Sequence, residues 1–339
     1  MASALQAEGG WREACWVLLQ AGAGRAQSRQ WPEARSDFDK ARAIAGAAGS
    51  LVVEARAWEA EGAAALSGRD LAKAEDAFRH AHDARLKLAA GGENLGVAMA
   101  QGRLASLAFQ RGNLAAAEDL WTRSYQIRER EAPGSLPAGN CLIGLGAIIS
   151  KRGDLATAGE MLQRALAIRE ALAPGTVEHA QVLGNLGFVR REQGDLAAAE
   201  ELYRQSLDVQ ERLAPEGPEA GTALIHLGVL AVTRGEWESA EAYTRRALRI
   251  HEKHDPRSRF VTACLNNLGE IQQARGQFAE AEASYRRSLK LAEEANPNTL
   301  EVAANLNNLG DVAAASGNPA QARTFLESAL VLHRRLAPG

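Results

Sequence analysis

The chain has 339 residues, 46% of them hydrophobic and 24% charged, a composition expected of a soluble globular or repeat protein. Lys and Arg number 39 against 42 Asp and Glu, so the net charge of −3 lacks the basic excess that nucleic-acid binding demands. Three cysteines, Cys15, Cys141 and Cys264, are too few and too widely spaced for a disulfide framework or a zinc module.

Read from the N-terminus, MASALQAEGGWREACW holds no apolar stretch of the kind a signal peptide needs. The longest apolar run, residues 223–232, is broken by His226 and is about half the ~20 residues of a membrane span. A cytoplasmic protein with no membrane partner is the expectation.

Along the rest of the chain a small residue recurs at Gly22, Gly62, Ala105, Gly146, Gly187, Gly228, Gly269 and Gly310, mostly 41 residues apart. Twelve residues after each anchor stands an alanine: Ala34, Ala74, Ala117, Ala158, Ala199, Ala240, Ala281 and Ala322. Nineteen after, every residue is alanine or serine. Sixteen after, most are bulky, as in Phe38, Trp121, Tyr203 and Tyr285. Seven after, the last six units carry glycine, whereas Arg29 and Arg69 hold that place in the first two and Gly68 falls one residue early.

Each unit predicts a helix–turn–helix, because apolar residues recur at three- and four-residue steps. The anchor glycine lies inside the first helix, where it costs ~1 kcal/mol relative to alanine. Its recurrence predicts close backbone approach, with the small residues twelve and nineteen later as counterparts. The glycine seven later ends that helix, and Asn113, Asp154 or Asp195 then caps the next. Segments such as LAPG, KHDP and ANPN stop the second helix. The expected repeats are 8–48, 49–90, 91–133, 134–174, 175–215, 216–256, 257–297 and 298–337, forming one domain over 1–339.

The run LNNLGEIQQARGQFAEAEASYRRSLKL resembles the tetratricopeptide repeat, whose small–small–aromatic–small pattern is matched by Gly269, Ala281, Tyr285 and Ser288. The usual period of that family is 34, and the seven added residues are close to two helical turns, so both helices lengthen without rotating their buried faces. The long period is similar to that of kinesin light chains and of bacterial arrays fused to CHAT-type proteases. HEAT and armadillo repeats have comparable periods but lack the glycine–glycine–alanine spacing. The resemblance implies an all-α, right-handed αα superhelix of eight helix pairs, with atypical first repeats acting as a cap.

Nothing in the sequence assembles catalytic chemistry. In His251-Glu252-Lys253-His254 the histidines are three apart rather than the four a zinc-protease helix needs, so they are read as cations at a helix C-terminus. Cys141 and Cys264 share a column with no recurring histidine and are expected to be small buried hydrophobes. No cofactor or metal is implied.

In the family the first helix of each pair lines a concave groove, and its ligand-facing columns carry over residue by residue. Two before the anchor stand Gln20, Ala60, Arg103, Gly144, Asn185, His226, Asn267 and Asn308, and three before it Asn266 and Asn307. One after come Phe188, Glu270 and Asp311, and about four after Arg191 and Gln273; Trp16 and Gln181 are placed with them. Each asparagine offers two donors and an acceptor, matching a peptide backbone without demanding a sequence. The resemblance therefore implies a non-enzymatic scaffold binding extended protein segments. A basic cluster suited to an acidic C-terminal tail is absent. The alternatives are a sensor or regulatory region of a larger signalling protein or protease, and a module that assembles end to end. The closing Leu336-Ala337-Pro338-Gly339 repeats the linker that elsewhere precedes another helix, so the last repeat is expected to leave Phe325, Leu332 and their neighbours uncovered, for a continuing chain, a partner or a second copy.

Overall fold

Sixteen α-helices are found among residues 10–336, the part of the chain that this computed structural model describes. They are α1 (Trp11–Gln27), α2 (Trp31–Ala47), α3 (Leu51–Ser67), α4 (Leu71–Leu88), α5 (Leu95–Gln110), α6 (Leu114–Glu131), α7 (Leu136–Lys151), α8 (Leu155–Leu172), α9 (Val177–Glu192), α10 (Leu196–Leu213), α11 (Pro218–Thr233), α12 (Trp237–His254), α13 (Arg259–Ala274), α14 (Phe278–Ala295), α15 (Leu300–Ala315) and α16 (Pro319–Leu336). The chain divides after Leu172 into two compact units of four pairs each, α1–α8 and α9–α16. Within each unit the two helices of a pair pack on each other, and the second also packs on the first helix of the next pair. Residues 1–9 and 337–339, which carry the leader expectation and most of the closing linker, lie outside the described residues.

The expected turns form as read. Asn113 Oδ1 accepts from the Ala116 N–H at 3.2 Å, Asp154 Oδ1 from Thr157 at 3.1 Å and Asp195 Oδ1 from Ala198 at 3.1 Å, each pairing an N–H the helix itself leaves orphaned. At the preceding reversal the backbone is left-handed. Gly276 has φ 75°, and the Gln277 N–H reaches back to the Gln272 carbonyl at 2.8 Å. Arg69 adopts the same conformation at φ 59°, so the chain turns there on an arginine and not on Gly68. Gly68 is glycine for another reason: a Cβ there would stand 2.8 Å from the Trp31 ring.

The packing bears out half of one expectation and corrects the other half. A Cβ on Gly22 would lie 3.1 Å from the Ala34 carbonyl oxygen and one on Gly146 3.5 Å from that of Ala158, so the backbone twelve later does approach the anchor. The anchor glycine receives the bulky side chain sixteen later. A Cβ on Gly187 would lie 2.7 Å from the Tyr203 ring, and one on Gly269 2.5 Å from that of Tyr285. The small residue nineteen later serves the start of the first helix instead. There Ser124 Oγ donates to the Ala98 carbonyl at 2.6 Å and Ser206 Oγ to that of Ala180 at 2.8 Å. The eight alanines of the twelve-later column are all buried. Between successive pairs of a unit an arginine near the end of one first helix meets a glutamate of the previous second helix: Arg111 with Glu75, Arg152 with Glu118, Arg234 with Glu200 and Arg275 with Glu241.

Two further expectations are revised. His251 is not a helix-end cation. It is 2% exposed, its ring stacks on Phe260 at 4.8 Å, and burial pushes its pKa down. At the last repeat Leu332 is buried against Val302 and Ala303, and Phe325 is half-buried against the α14–α15 core. The large apolar residues left open there, among the described residues, are Leu326, Leu330, Val331 and Leu336.

Candidate functional site

The first helix of each pair keeps one face for the core, and its columns two before and one after the anchor are exposed or half-buried, Gly144 excepted. In the second unit this brings several expected residues together. Asn266, Asn267, Glu270 and Gln273 of α13 and Asn308 of α15 line one open cavity of about 420 Å³, with Tyr285 of α14 as a further wall. Asp311 is one turn beyond Asn308, close enough that its charge and that of Glu270 act on the Tyr285 hydroxyl. Burial first, and then these two carboxylates, push that hydroxyl above the ordinary tyrosine range, so it stays protonated.

The polar atoms here are unspent. Among the described residues the side chains of Asn185, Asn267, Asn307 and Asn308 make no hydrogen bond within the chain, and the buried Oδ1 of Asn266 has no partner. Glu270 and Asp311 are exposed and form no ion pair among the described residues. An asparagine inside a helix is poor for stability. Unpaired amides repeated on one face therefore contribute little to holding the helices.

One and two repeats upstream the same columns are more occupied. His226 stacks on Tyr203, ring centroids 5.1 Å apart and planes 6° from parallel. Burial, with the positive charge of Arg191 as the second cause, lowers its pKa to about 4, so it is neutral at ordinary pH. The Tyr203 hydroxyl is buried without a partner, and burial raises its pKa to about 12. Arg191 lies 5.2 Å over the Phe188 ring and pairs with Glu192 at 2.6 Å. Gln181 is exposed at the start of the same face.

Among the described residues of the first unit, the expected ones do not converge on a cavity. Trp16 is 62% exposed and Gln20 is exposed beside it on α1. Arg103 lies 5.6 Å over the Phe78 ring. At the next repeat the groove position is Gly144, and the Trp121 ring fills it: a Cβ on Gly144 would meet three ring atoms at 2.6 Å. A cavity of about 440 Å³ in this unit is lined by Glu75, Arg111 and Leu107 and contains none of the expected residues.

Tyr285 is missing from the groove set that the sequence suggests, because the sixteen-later column reads as core. The signal is available: a long aromatic placed against a glycine crosses the first helix and shows its far end to the groove. Elsewhere the three cysteines are buried, and burial pushes the Cys264 thiol up to about 12, far from a reactive thiolate. No group of three His, Cys, Asp or Glu side chains placed to hold a metal is found among the described residues, and no helix there is long and apolar enough to cross a membrane.

The helix pairs, their glycine turns and their buried alanine columns define a helical-repeat protein. The sequence matches the Tetratricopeptide repeat family over residues 96–171, 178–253 and 261–334, and the chain belongs to that family. No curated protein matches the sequence. Among solved structures it is similar to the apo form of the quorum sensor NprR from B. thuringiensis, with a TM-score of 0.72 and 14% identity over 97% of this chain and 91% of that one. A Rap protein complexed with Competence and Sporulation Factor matches with a TM-score of 0.65 and 14% identity, covering 99% of this chain and 95% of the other. BtubC (BKLC) from P. vanneervenii matches with a TM-score of 0.58 and 20% identity over 66% and 92%. At these identities the likeness is one of fold.

Proposed function

We propose that the chain is a non-enzymatic protein-interaction scaffold, and that the groove along α13 and α15 clamps the backbone of an extended protein segment. One observation carries this reading: Asn266, Asn267 and Asn308 line a single open cavity with their amides unpaired by the chain. A peptide in extended form presents alternating N–H and C=O groups, and each carboxamide can meet one of each. The similar Rap protein is complexed with Competence and Sporulation Factor, which agrees with a fold that holds a ligand.

The test uses randomly displayed decapeptides selected on the immobilised protein. Asn185, Asn267 and Asn308 together replaced by alanine should leave helix content and melting unchanged or slightly improved. The selected peptides should bind this variant less well by ~1 kcal/mol or more per lost backbone contact. A variant that melts far lower while binding the same peptides equally would show that the amides are structural.

A second reading, that the chain is the sensor region of a signalling protein, draws on the likeness to the quorum sensor NprR over nearly the whole chain. It uses the same groove and differs in requiring that occupancy change the behaviour of an attached or partner domain.

A further inference from the structure

The charge pattern of this groove says more about its occupant than the amides do. Most carboxylates on the second helices of the second unit are spent: Glu200, Glu211, Glu241, Glu252 and Glu282 each pair with an arginine. Glu270 and Asp311 differ. They stand one after the anchor in successive first helices, exposed, and no cation of the chain answers them among the described residues.

Their own helices offer little. The only Lys or Arg of α13 is Arg259, at its first turn, 5.0 Å over the Phe260 ring, and α15 carries none at all. The free amides bring donors and acceptors alike, so what decides the balance is charge. The unanswered charged groups on these two helices are Glu270, which lines the cavity, and Asp311 one turn beyond Asn308, and the unpartnered Oδ1 of Asn266 adds an acceptor. A guanidinium brings five donors and no acceptor, and an ammonium three donors and no acceptor.

We propose that the segment held by this groove is basic, with an arginine or lysine side chain seated in the α13–α15 cavity between Glu270 and Asp311. The inference rests on the scaffold reading above and deepens it by naming the chemistry of the partner. The carboxamides hold the backbone and are indifferent to sequence. The two carboxylates select the side chain between them, and an acidic residue there meets two like charges. Tyr285 closes the floor, so the charged head stops in the cavity while its alkyl stem lies along the groove.

The same random decapeptide selection tests it, read by sequence. The expected result is enrichment of Arg and Lys among peptides whose binding depends on Asn267 and Asn308. A synthetic copy of an enriched peptide with its basic residue changed to Gln should bind about tenfold more weakly by fluorescence polarisation, as expected for one lost charge-assisted contact. On the Glu270→Gln/Asp311→Asn variant the two peptides should bind alike. Both positions are exposed, and an unchanged melting curve checks that this variant is folded. Rising salt should shrink the difference on the wild type. If peptides are enriched through Asn267 and Asn308 without an excess of Arg or Lys, or if the double variant keeps the preference, the basic-partner inference is overturned and the clamp stands. If no peptide depends on those asparagines, both are overturned.

Discussion

In the first unit the position two before the anchor holds Gln20, Ala60, Arg103 and Gly144; in the second it holds Asn185, His226, Asn267 and Asn308. The backbone grid is the same, and in the first unit Phe38, Phe78 and Leu162 lie under their own anchors; one repeat departs in where its bulky residue goes. Tyr285 lies under its own anchor, Gly269, and leaves Asn308 of the next repeat free. Trp121 belongs to the one repeat whose anchor is alanine, Ala105. With a methyl closing that space, the indole lies forward across Gly144 and occupies the groove position itself. Tyr203 and His226 are intermediate, with the ring under Gly187 and the imidazole stacked on it. One column is thus filled by packing at Gly144 and lines an open cavity at Asn267 and Asn308.

The sharpest way to break this comparison is to change the column in both units. Gly144→Ala drives a methyl into the Trp121 ring. Overpacking of this kind costs about 1–3 kcal/mol, which at its upper end exceeds the ~1 kcal/mol gained in helix propensity. With three ring atoms inside contact distance, a net loss of about 2 kcal/mol is expected from denaturant midpoints, and Trp121→Leu in the same chain should recover part of it as a coupling energy. Asn267→Ala and Asn308→Ala should change stability by no more than about 0.5 kcal/mol. Equal effects in the two units would erase the distinction.

The intermediate position makes a pH prediction. The pKa of His226 is about 4 in the folded chain, against an ordinary value of 6.5. Above pH 6.5 both folded and unfolded forms are neutral there. As pH falls from 6.5 towards 4 the unfolded chain takes up the proton first, so stability is lost across that window and not above it. Because the ring is partly exposed, the loss attributable to it is on the order of 2 kcal/mol, below the full linkage value. His226→Gln should flatten the fall in melting temperature between pH 6.5 and 4. His251, shifted the same way by burial, leaves a residual slope in the variant. Parallel melting curves for variant and wild type would show that His226 titrates freely.

Much of this is legible in the sequence because close approach leaves no choice of residue. Only a small side chain fits where Tyr285 crosses Gly269 or where Ala281 meets the neighbouring helix, so the grid is written in glycine and alanine. The asparagines that line the α13–α15 cavity stand in columns that the family resemblance singles out. What is hidden depends on side-chain reach. That Trp121 skips its own anchor, that Tyr285 extends from core to cavity, and that His251 folds back onto Phe260 are consequences of ring length and rotamer, which a column does not encode. Which residues the last repeat leaves open escapes the sequence for the same reason. Leu332 turns inward to Val302, while Leu330 and Val331, its neighbours in sequence, face out.

The finest contrast lies in the turns. From Gly112 onward the left-handed residue after each first helix is glycine, with φ between 73° and 89°; in the first two repeats it is Arg29 at φ 60° and Arg69 at φ 59°. A residue with a Cβ in that conformation costs roughly 1 kcal/mol, because the Cβ crowds the following carbonyl. Neither arginine side chain makes a hydrogen bond or ion pair among the described residues, so none is lost on removal. Arg69→Gly therefore relieves the crowding, offset in part by the greater freedom of glycine in the unfolded chain. A gain of about 0.5 kcal/mol is expected, and Gly276→Arg in the second unit should lose about 1 kcal/mol by the same physics. Gly68→Ala serves as the control. Gly68 precedes the turn with φ −81° and needs no left-handed freedom, yet its Cβ would strike Trp31, so it should destabilise while Arg69→Gly stabilises. If Arg69→Gly lowers the melting temperature instead, the arginine contributes something that its backbone conformation conceals, and the first unit departs from the grid by more than strain.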